Sequence, residues 1–76
     1  DVYVMDARIP ISEAVEVLGV HLSDRDAHTV GGLVTARLRR IPKVGDSIEE
    51  GGFLFVIEEA NDRAPLLLRV SALYKT

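Results

Sequence analysis

The stretch that decides the fold is Thr29–Asp46, TVGGLVTARLRRIPKVGD, which is typical of a helix followed by a sharp turn into a strand. Thr29 is a residue type that caps helices, because its side-chain oxygen accepts a backbone N–H bond. The apolar residues that follow at helical spacing are Val30, Leu33, Val34, Leu38 and Ile41. Pro42 ends the helix, since the residue before a proline avoids the α conformation. The stretch therefore predicts an amphipathic helix, a turn at Gly45 and a following strand.

The chain on either side of this helix supplies the rest of a small α+β domain. A first strand is predicted at Val2–Asp6, and a first helix over about residues 10–18. The strands predicted after the turn are Ser47–Glu50, Phe53–Ala60 and Leu66–Leu73. Gly51 and Gly52 form a two-residue hairpin signal between the first two of these strands. The predicted order is β-α-α-β-β-β, a small, mostly antiparallel sheet with two helices packed on one face.

Apolar residues occupy both faces of the predicted sheet. Successive side chains of a strand point to opposite faces, and the strand Phe53–Ala60 is apolar at both sets of positions. The residues predicted to lie away from the helices are Tyr3, Leu54, Val56 and Leu67. A sheet with one solvated face normally alternates apolar and polar residues. These four residues therefore form either an interface with another domain or a second copy, or a surface covered by loops or the chain end.

Composition limits the classes of function. The chain has 76 residues and is expected to be a single domain, with no cysteine to form a disulfide. A net charge of −3 and an aromatic content of 5% argue against nucleic-acid binding, which needs a basic surface and stacking side chains. No apolar run approaches the ~18 residues of a membrane span. The chain starts at Asp1, and we expect it to be excised from a longer protein.

Basic and acidic residues are grouped along the chain. The basic group is Arg37, Arg39, Arg40 and Lys43. The acidic group that follows it is Asp46, Glu49, Glu50, Glu58, Glu59 and Asp62. We expect pairing between the two groups, together with compensation of the helix dipole by the arginines, rather than a phosphate-binding surface.

Two glycines at the start of the second helix need an explanation, because each costs about 0.5–1 kcal/mol relative to alanine. Gly31 and Gly32 either allow close approach of another backbone, which is the favoured interpretation, or expose N–H groups to an anion. In the second case Gly31, Gly32 and Arg37 would be the cofactor-binding residues for an adenine nucleotide or FAD.

Residues with catalytic or metal-binding chemistry are few. The serines lie at predicted caps, turns or a strand, without a neighbouring base, so no catalytic site is predicted and the protein is not expected to be an enzyme. Asp24, Asp26 and His28 lie at alternate positions of one loop and are the candidate ligands of a divalent cation. Their spacing matches no defined motif, and a solvated acidic loop is the favoured interpretation.

Four segments together carry a family resemblance. They are DARIPI at 6–11, TVGGLV at 29–34, RIPKVGD at 40–46 and FLFVI at 53–57. In this order they resemble the transporter-associated domain, the CorC/HlyC-type module at the C-terminus of hemolysin-like proteins, magnesium and cobalt efflux proteins and some sodium/proton antiporters. The chain departs from the family at Ala7, where glycine is frequent, and at Ile9, where serine or threonine is frequent.

The resemblance implies a non-catalytic, cytoplasmic accessory domain that modulates ion transport. It would follow a pair of nucleotide-binding CBS modules attached to a membrane domain, so its partners would be those domains, with a homodimer as a further option. Contact with the membrane would be only through the parent chain. The fold is also similar to a subdomain of FAD-binding oxidases, so the alternative function is a small-ligand sensor for an adenine nucleotide or FAD.

Overall fold

The computed structural model describes residues 2–22, 25 and 27–73. Within these residues, two helices and four strands follow one another in the predicted β-α-α-β-β-β order. The elements are β1 (Val2–Asp6), α1 (Ile11–Leu18), α2 (Val30–Leu38), β2 (Ser47–Glu50), β3 (Phe53–Ala60) and β4 (Pro65–Ala72). The strands form one sheet in the order β1-β4-β3-β2, and each neighbouring pair is antiparallel. The predicted α+β fold class is confirmed.

The core lies between the two helices and one face of the sheet. Phe55 pairs with Val70 and Ile57 pairs with Leu68 across β3 and β4, and all four side chains are buried. From α2, Leu33 is completely buried against this face. Burying a side chain of this size stabilises the fold by about 1.5–3 kcal/mol. The helices are thus held to one face of the sheet by side chains at alternate strand positions, as the periodicity predicted.

The two-residue turn between β2 and β3 is the predicted hairpin. Gly51 and Gly52 both have positive φ angles, of 58° and 84°. A two-residue turn with positive φ at both positions matches the right-handed twist of the flanking strands. The carbonyl of Gly52 also accepts the N–H of Leu73 at 2.9 Å, which ties the turn to the end of β4.

The end of α2 differs from the prediction. The helix ends at Leu38, because Arg39 adopts a left-handed conformation with φ 58° and its N–H bonds to the Thr35 carbonyl at 2.8 Å. Pro42 is fully buried beyond the helix, and Ile41 is 46% exposed rather than part of a helical stripe. Of the arginines expected in the last turns, only Arg37 lies in the helix.

Neither helix in the described part of the chain is long and apolar enough to cross a membrane. The longer of the two, α2, has nine residues, whereas a span needs about 20.

Candidate functional site

The start of α2 is the first candidate site, because unbonded N–H groups there would attract an anion. In the structure each N–H of the first turn already has an acceptor within the chain. The four bonds are Val30 to the Ile9 carbonyl (3.1 Å), Gly31 to the Ala7 carbonyl (2.8 Å), Gly32 to Thr29 Oγ1 (3.0 Å) and Leu33 to the Thr29 carbonyl (2.9 Å). The predicted cap by Thr29 is thereby confirmed. These N–H groups serve the fold, and none is left for a phosphate.

Gly31 is required by the close approach of another backbone segment. A Cβ atom at this position would lie 2.8 Å from the Ala7 Cβ and 2.9 Å from the Ala7 carbonyl oxygen. At Gly32 a Cβ would meet the Ala27 Cβ and Thr29 Oγ1 less closely, each at 3.1 Å. The favoured interpretation of the glycine pair, close packing rather than anion binding, agrees with these contacts.

Two of the four basic residues that follow, Arg37 and Arg40, are paired with the acidic group. The Arg37 Nε donates to the Glu50 carboxylate on β2. Arg40 donates two hydrogen bonds to Asp46, at 2.7 and 3.0 Å, and the Lys43 N–H donates a third at 2.8 Å. The Arg40 guanidinium and this backbone N–H lower the pKa of Asp46 from its usual 3.8 to about 2. The prediction of intramolecular pairing is confirmed at these residues.

A groove of about 480 Å³ runs beside the start of α2, along the candidate cofactor-binding residues Gly31 and Gly32. Its walls are mostly small residues, including Ala7 and Gly31. The charged residue on its wall is Arg8, which pairs with Asp6 at 3.0 Å and lowers the pKa of that carboxyl to about 2. With the N–H groups bonded and Arg8 and Arg37 paired, the geometry does not support the adenine-nucleotide or FAD alternative.

Of the three candidate cation ligands, His28 alone lies among the described residues. Asp24 and Asp26 lie outside the described residues. His28 is exposed, and its carbonyl accepts the Ile11 N–H at 2.9 Å, which helps to join the starts of the two helices. In the part of the chain that the structure describes, no group of three or more His, Asp or Glu side chains could hold a metal ion.

The face of the sheet away from the helices, here called the outer face, is the second candidate site. Its apolar residues are Val2, Val4, Leu54, Val56 and Leu67. Leu54 pairs with Ser71 and Val56 pairs with Arg69. Both are next to the buried Phe55 along β3, so their side chains lie on the other face of the sheet from Phe55. Arg69 forms an ion pair with Glu58 at 2.9 Å within the same face. Three of the four residues predicted to lie away from the helices, Leu54, Val56 and Leu67, therefore lie on the outer face.

Tyr3 was wrongly assigned to the outer face. It pairs with Val70 on β4, so its side chain lies on the same face as the buried Met5. Its ring contacts the Phe53 ring edge-to-face, with the centroids 6.4 Å apart. Pairing with β4 fixes this orientation, since residues directly opposite each other in a sheet share a face.

Val2 and Val4 are outer-face residues that the sequence analysis missed. They are 61% and 65% exposed, more than any other valine on the sheet. Their alternation with Tyr3 and Met5 is visible in the sequence and could have identified them. What the sequence lacked was the strand order, which places them beside Arg69 and Ser71 on the same surface as Val56 and Leu54.

Comparison with known proteins gives a consistent result. Residues 1–73 match the family described as transporter associated domain, CorC_HlyC. The magnesium and cobalt efflux protein CorC of Escherichia coli K12 is 32% identical over 60 residues, which cover 79% of this chain and 20% of that protein. The chain thus spans about a fifth of the length of the curated relatives it matches.

Solved structures agree over nearly the whole chain. The transporter associated domain of a Xylella fastidiosa hemolysin, in complex with Mg²⁺ and Mn²⁺, has a TM-score of 0.88 and 27% identity, with 96% of this chain and 89% of that chain covered. A hemolysin domain from Enterococcus faecalis has a TM-score of 0.83 and 32% identity, with 93% and 87% covered.

Proposed function

This chain belongs to the transporter associated domain family of CorC- and HlyC-type proteins, and we propose that it is a non-catalytic accessory domain that regulates a membrane ion transporter. Its outer face would contact the neighbouring domains of the parent protein. Those domains would include CBS modules and a membrane domain, and the chain would lie on the cytoplasmic side. The transported ion would be a divalent cation, because the E. coli relative is named a magnesium and cobalt efflux protein.

The observation that carries this proposal is the apolar outer face. Val2 and Val4 are more than half exposed, and Leu54, Val56 and Leu67 are only half-buried. An antiparallel sheet that faces water on one side is normally polar on that side. The apolar residues of β1 and β3 lie on either side of polar residues of β4 on this face, and exposed apolar surface bordered by polar residues is typical of a surface that binds another protein.

The proposal is tested by a substitution that introduces one negative charge on the outer face. Val56→Asp in the parent protein is expected to change the rate of Mg²⁺ or Co²⁺ transport in membrane vesicles, because a buried carboxylate disfavours the domain contact. The fold should tolerate the change, since Val56 is only half-buried and lies on the outer face, away from the core. Val44→Asp is the matched control, because Val44 is 64% exposed in the turn before β2.

Equal transport by the two variants and the wild type would contradict the proposal. Circular dichroism of each isolated variant chain checks that the fold is intact. If Val56→Asp instead converts a dimer of the isolated chain to a monomer and leaves transport unchanged, the outer face joins two copies rather than two domains of one parent.

Cation binding is a second candidate function, because the Xylella relative was solved with Mg²⁺ and Mn²⁺. The candidate ligands to test are His28, Asp24 and Asp26. Excess Mg²⁺ or Mn²⁺ should raise the melting temperature of the isolated chain, since a ligand that binds only the folded state stabilises it. The double variant Asp24→Asn, Asp26→Asn should lose this increase. An unchanged melting temperature of the wild type would contradict the hypothesis.

A further inference from the structure

The free edge of β1 is the least protected part of the sheet. Among the described residues β1 pairs with β4 alone, so its other side carries no strand. The Ala7 N–H donates to the Leu66 carbonyl at 3.0 Å, one residue beyond the paired Asp6 and Leu67. Bonded and non-bonded pairs alternate along antiparallel strands. The backbone N–H and carbonyl of Val4 therefore point away from β4, toward the free edge.

A groove of about 290 Å³ lies along this edge, between β1 and α1. One wall is formed by Tyr3–Asp6, and the other by Ile9, Glu13 and Val17. Alternate side chains of a strand point to opposite faces, so a groove on one face of the sheet would contact only every second residue. Contact with four consecutive residues shows that the groove runs along the backbone edge of β1. Val17 is 50% exposed. The groove thus combines backbone hydrogen-bonding groups with an apolar wall.

The opposite edge of the sheet is protected in a way that β1 is not. Strand β2 is four residues long and has two consecutive carboxylates, Glu49 and Glu50. Natural sheets prevent unwanted pairing at an edge with short strands and charged side chains. Strand β1 has the sequence VYVMD, with its one charge at the end, where Asp6 is bonded to Arg8. Its middle carries nothing that opposes the addition of another strand.

Charge distinguishes between the possible occupants. Helix α1 carries Glu13 and Glu16 and no basic residue. The Glu13 carboxylate has no hydrogen-bond or ion-pair partner among the described residues. A second copy added edge to edge would bring two acidic α1 helices together, which like-charge repulsion opposes. A basic segment would meet complementary charge on the same wall.

We propose that the β1 edge binds an extended segment of a partner protein in which β-branched residues alternate with lysine or arginine. The segment adds as a fifth strand and pairs with the backbone of Val4. Its β-branched side chains lie beside Val4 on the outer face. Its basic side chains face the groove, where their aliphatic parts pack on Val17 and their charges reach Glu13. Backbone hydrogen bonds supply affinity in this mode, and the side chains supply specificity.

The probe is the peptide acetyl-Lys-Val-Lys-Val-Lys-Val-amide, added to the ¹⁵N-labelled chain and followed by NMR. We expect shifts of the amide signals of Val2–Asp6, Glu13 and Val17, and weaker binding at high salt. The peptide acetyl-Glu-Val-Glu-Val-Glu-Val-amide has the same alternation and the opposite charge, and it should bind at least about tenfold more weakly.

Two pairs of variants separate the backbone contribution from the charge. Val4→Pro removes the outward N–H and should abolish binding, whereas Val4→Thr keeps the N–H and should retain it. Glu13→Gln should weaken binding about two- to fivefold, as for an exposed ion pair. Glu49→Gln makes the same change of charge on β2 and should have no effect. The comparison of Glu13→Gln with Glu49→Gln still tests the proposal if Val4→Pro does not fold.

Shifts that map outside β1 and α1, equal binding of the two peptides, or equal binding by Glu13→Gln and Glu49→Gln would overturn the proposal. The Val56→Asp variant should bind the peptide as the wild type does. Loss of regulation by the outer face and loss of binding at the β1 edge are therefore distinguishable.

Discussion

Helix starts and strand edges are both places where backbone N–H groups commonly bind a partner. The start of α2 and the free edge of β1 differ in whether these groups already have acceptors within the chain. At the start of α2 the N–H groups from Val30 to Leu33 all have acceptors within the chain. At the β1 edge the backbone of Val4 faces a groove. The glycine pair of the family signature thus serves the fold, whereas the proposed partner surface lies on a strand of which only the last residue, Asp6, belongs to a signature segment.

The difference follows from how many neighbours each region has. The start of α2 lies against the turn after β1 and the start of β4, and Ala7 and Pro65 both approach Gly31 closely. The turn after β1 provides the Ala7 and Ile9 carbonyls as acceptors, and Pro65 contributes packing. An edge strand has a pairing partner on one side only, so half of its backbone groups remain for another chain.

The largest effect on stability is expected from a substitution at the start of α2, where the backbone N–H groups are already bonded. Gly31→Ala should destabilise the fold by about 1–3 kcal/mol, because its Cβ would overlap the Ala7 Cβ and carbonyl. Gly32→Ala is the matched control. It should stay within about 1 kcal/mol of the wild type, since better helix propensity offsets its milder contacts. Urea unfolding of both variants measures the difference.

The double variant Ala7→Gly, Gly31→Ala sharpens this test. It removes the Cβ contact and leaves the carbonyl contact, so part of the stability should return. If Gly31→Ala is as stable as Gly32→Ala, the close approach at Gly31 does not restrict the sequence, and the comparison with the open edge fails.

A smaller effect is expected from the helix cap. Thr29→Ala leaves the Gly32 N–H without its side-chain acceptor and should cost about 0.5–2 kcal/mol. Thr29→Ser keeps the hydroxyl and should retain most of the stability in thermal unfolding. Equal losses in the two variants would mean that the threonine methyl, rather than the cap, stabilises the start of α2.

The smallest effect on stability is expected at Asp46, and it should disappear in acid. The folded-state pKa of Asp46 is about 2, below its usual 3.8, so its ion pair adds stability above about pH 4 and loses it as the pH falls toward 2. Asp46→Asn should therefore be less stable than the wild type at pH 6, and the gap should close between pH 4 and 2. Arg40→Gln should reduce the same acid dependence, because Arg40 is the main cause of the lowered pKa. A gap that is constant with pH would contradict this assignment.

The sequence predicted those parts of the site that depend on near neighbours in the chain. The cap at Thr29 and the glycine hairpin each need only a few adjacent residues. The inward and outward sets of β3 followed from alternation, and Leu54 and Val56 were correctly placed by it. The early end of α2 was not predicted, because Arg39 takes a left-handed conformation that glycine or asparagine usually occupies.

By itself, then, the sequence determined the order of the elements, the fold class and the family signature, because local propensity and periodicity are set by residues close in the chain. The tertiary structure alone decided which strands lie at the edges, where Tyr3 points and what Gly31 approaches. Strand order depends on pairing between distant segments, such as β1 with β4, and no local pattern records it. The β1 edge and its groove exist because of that pairing, since it leaves β1 with a neighbour on one side only.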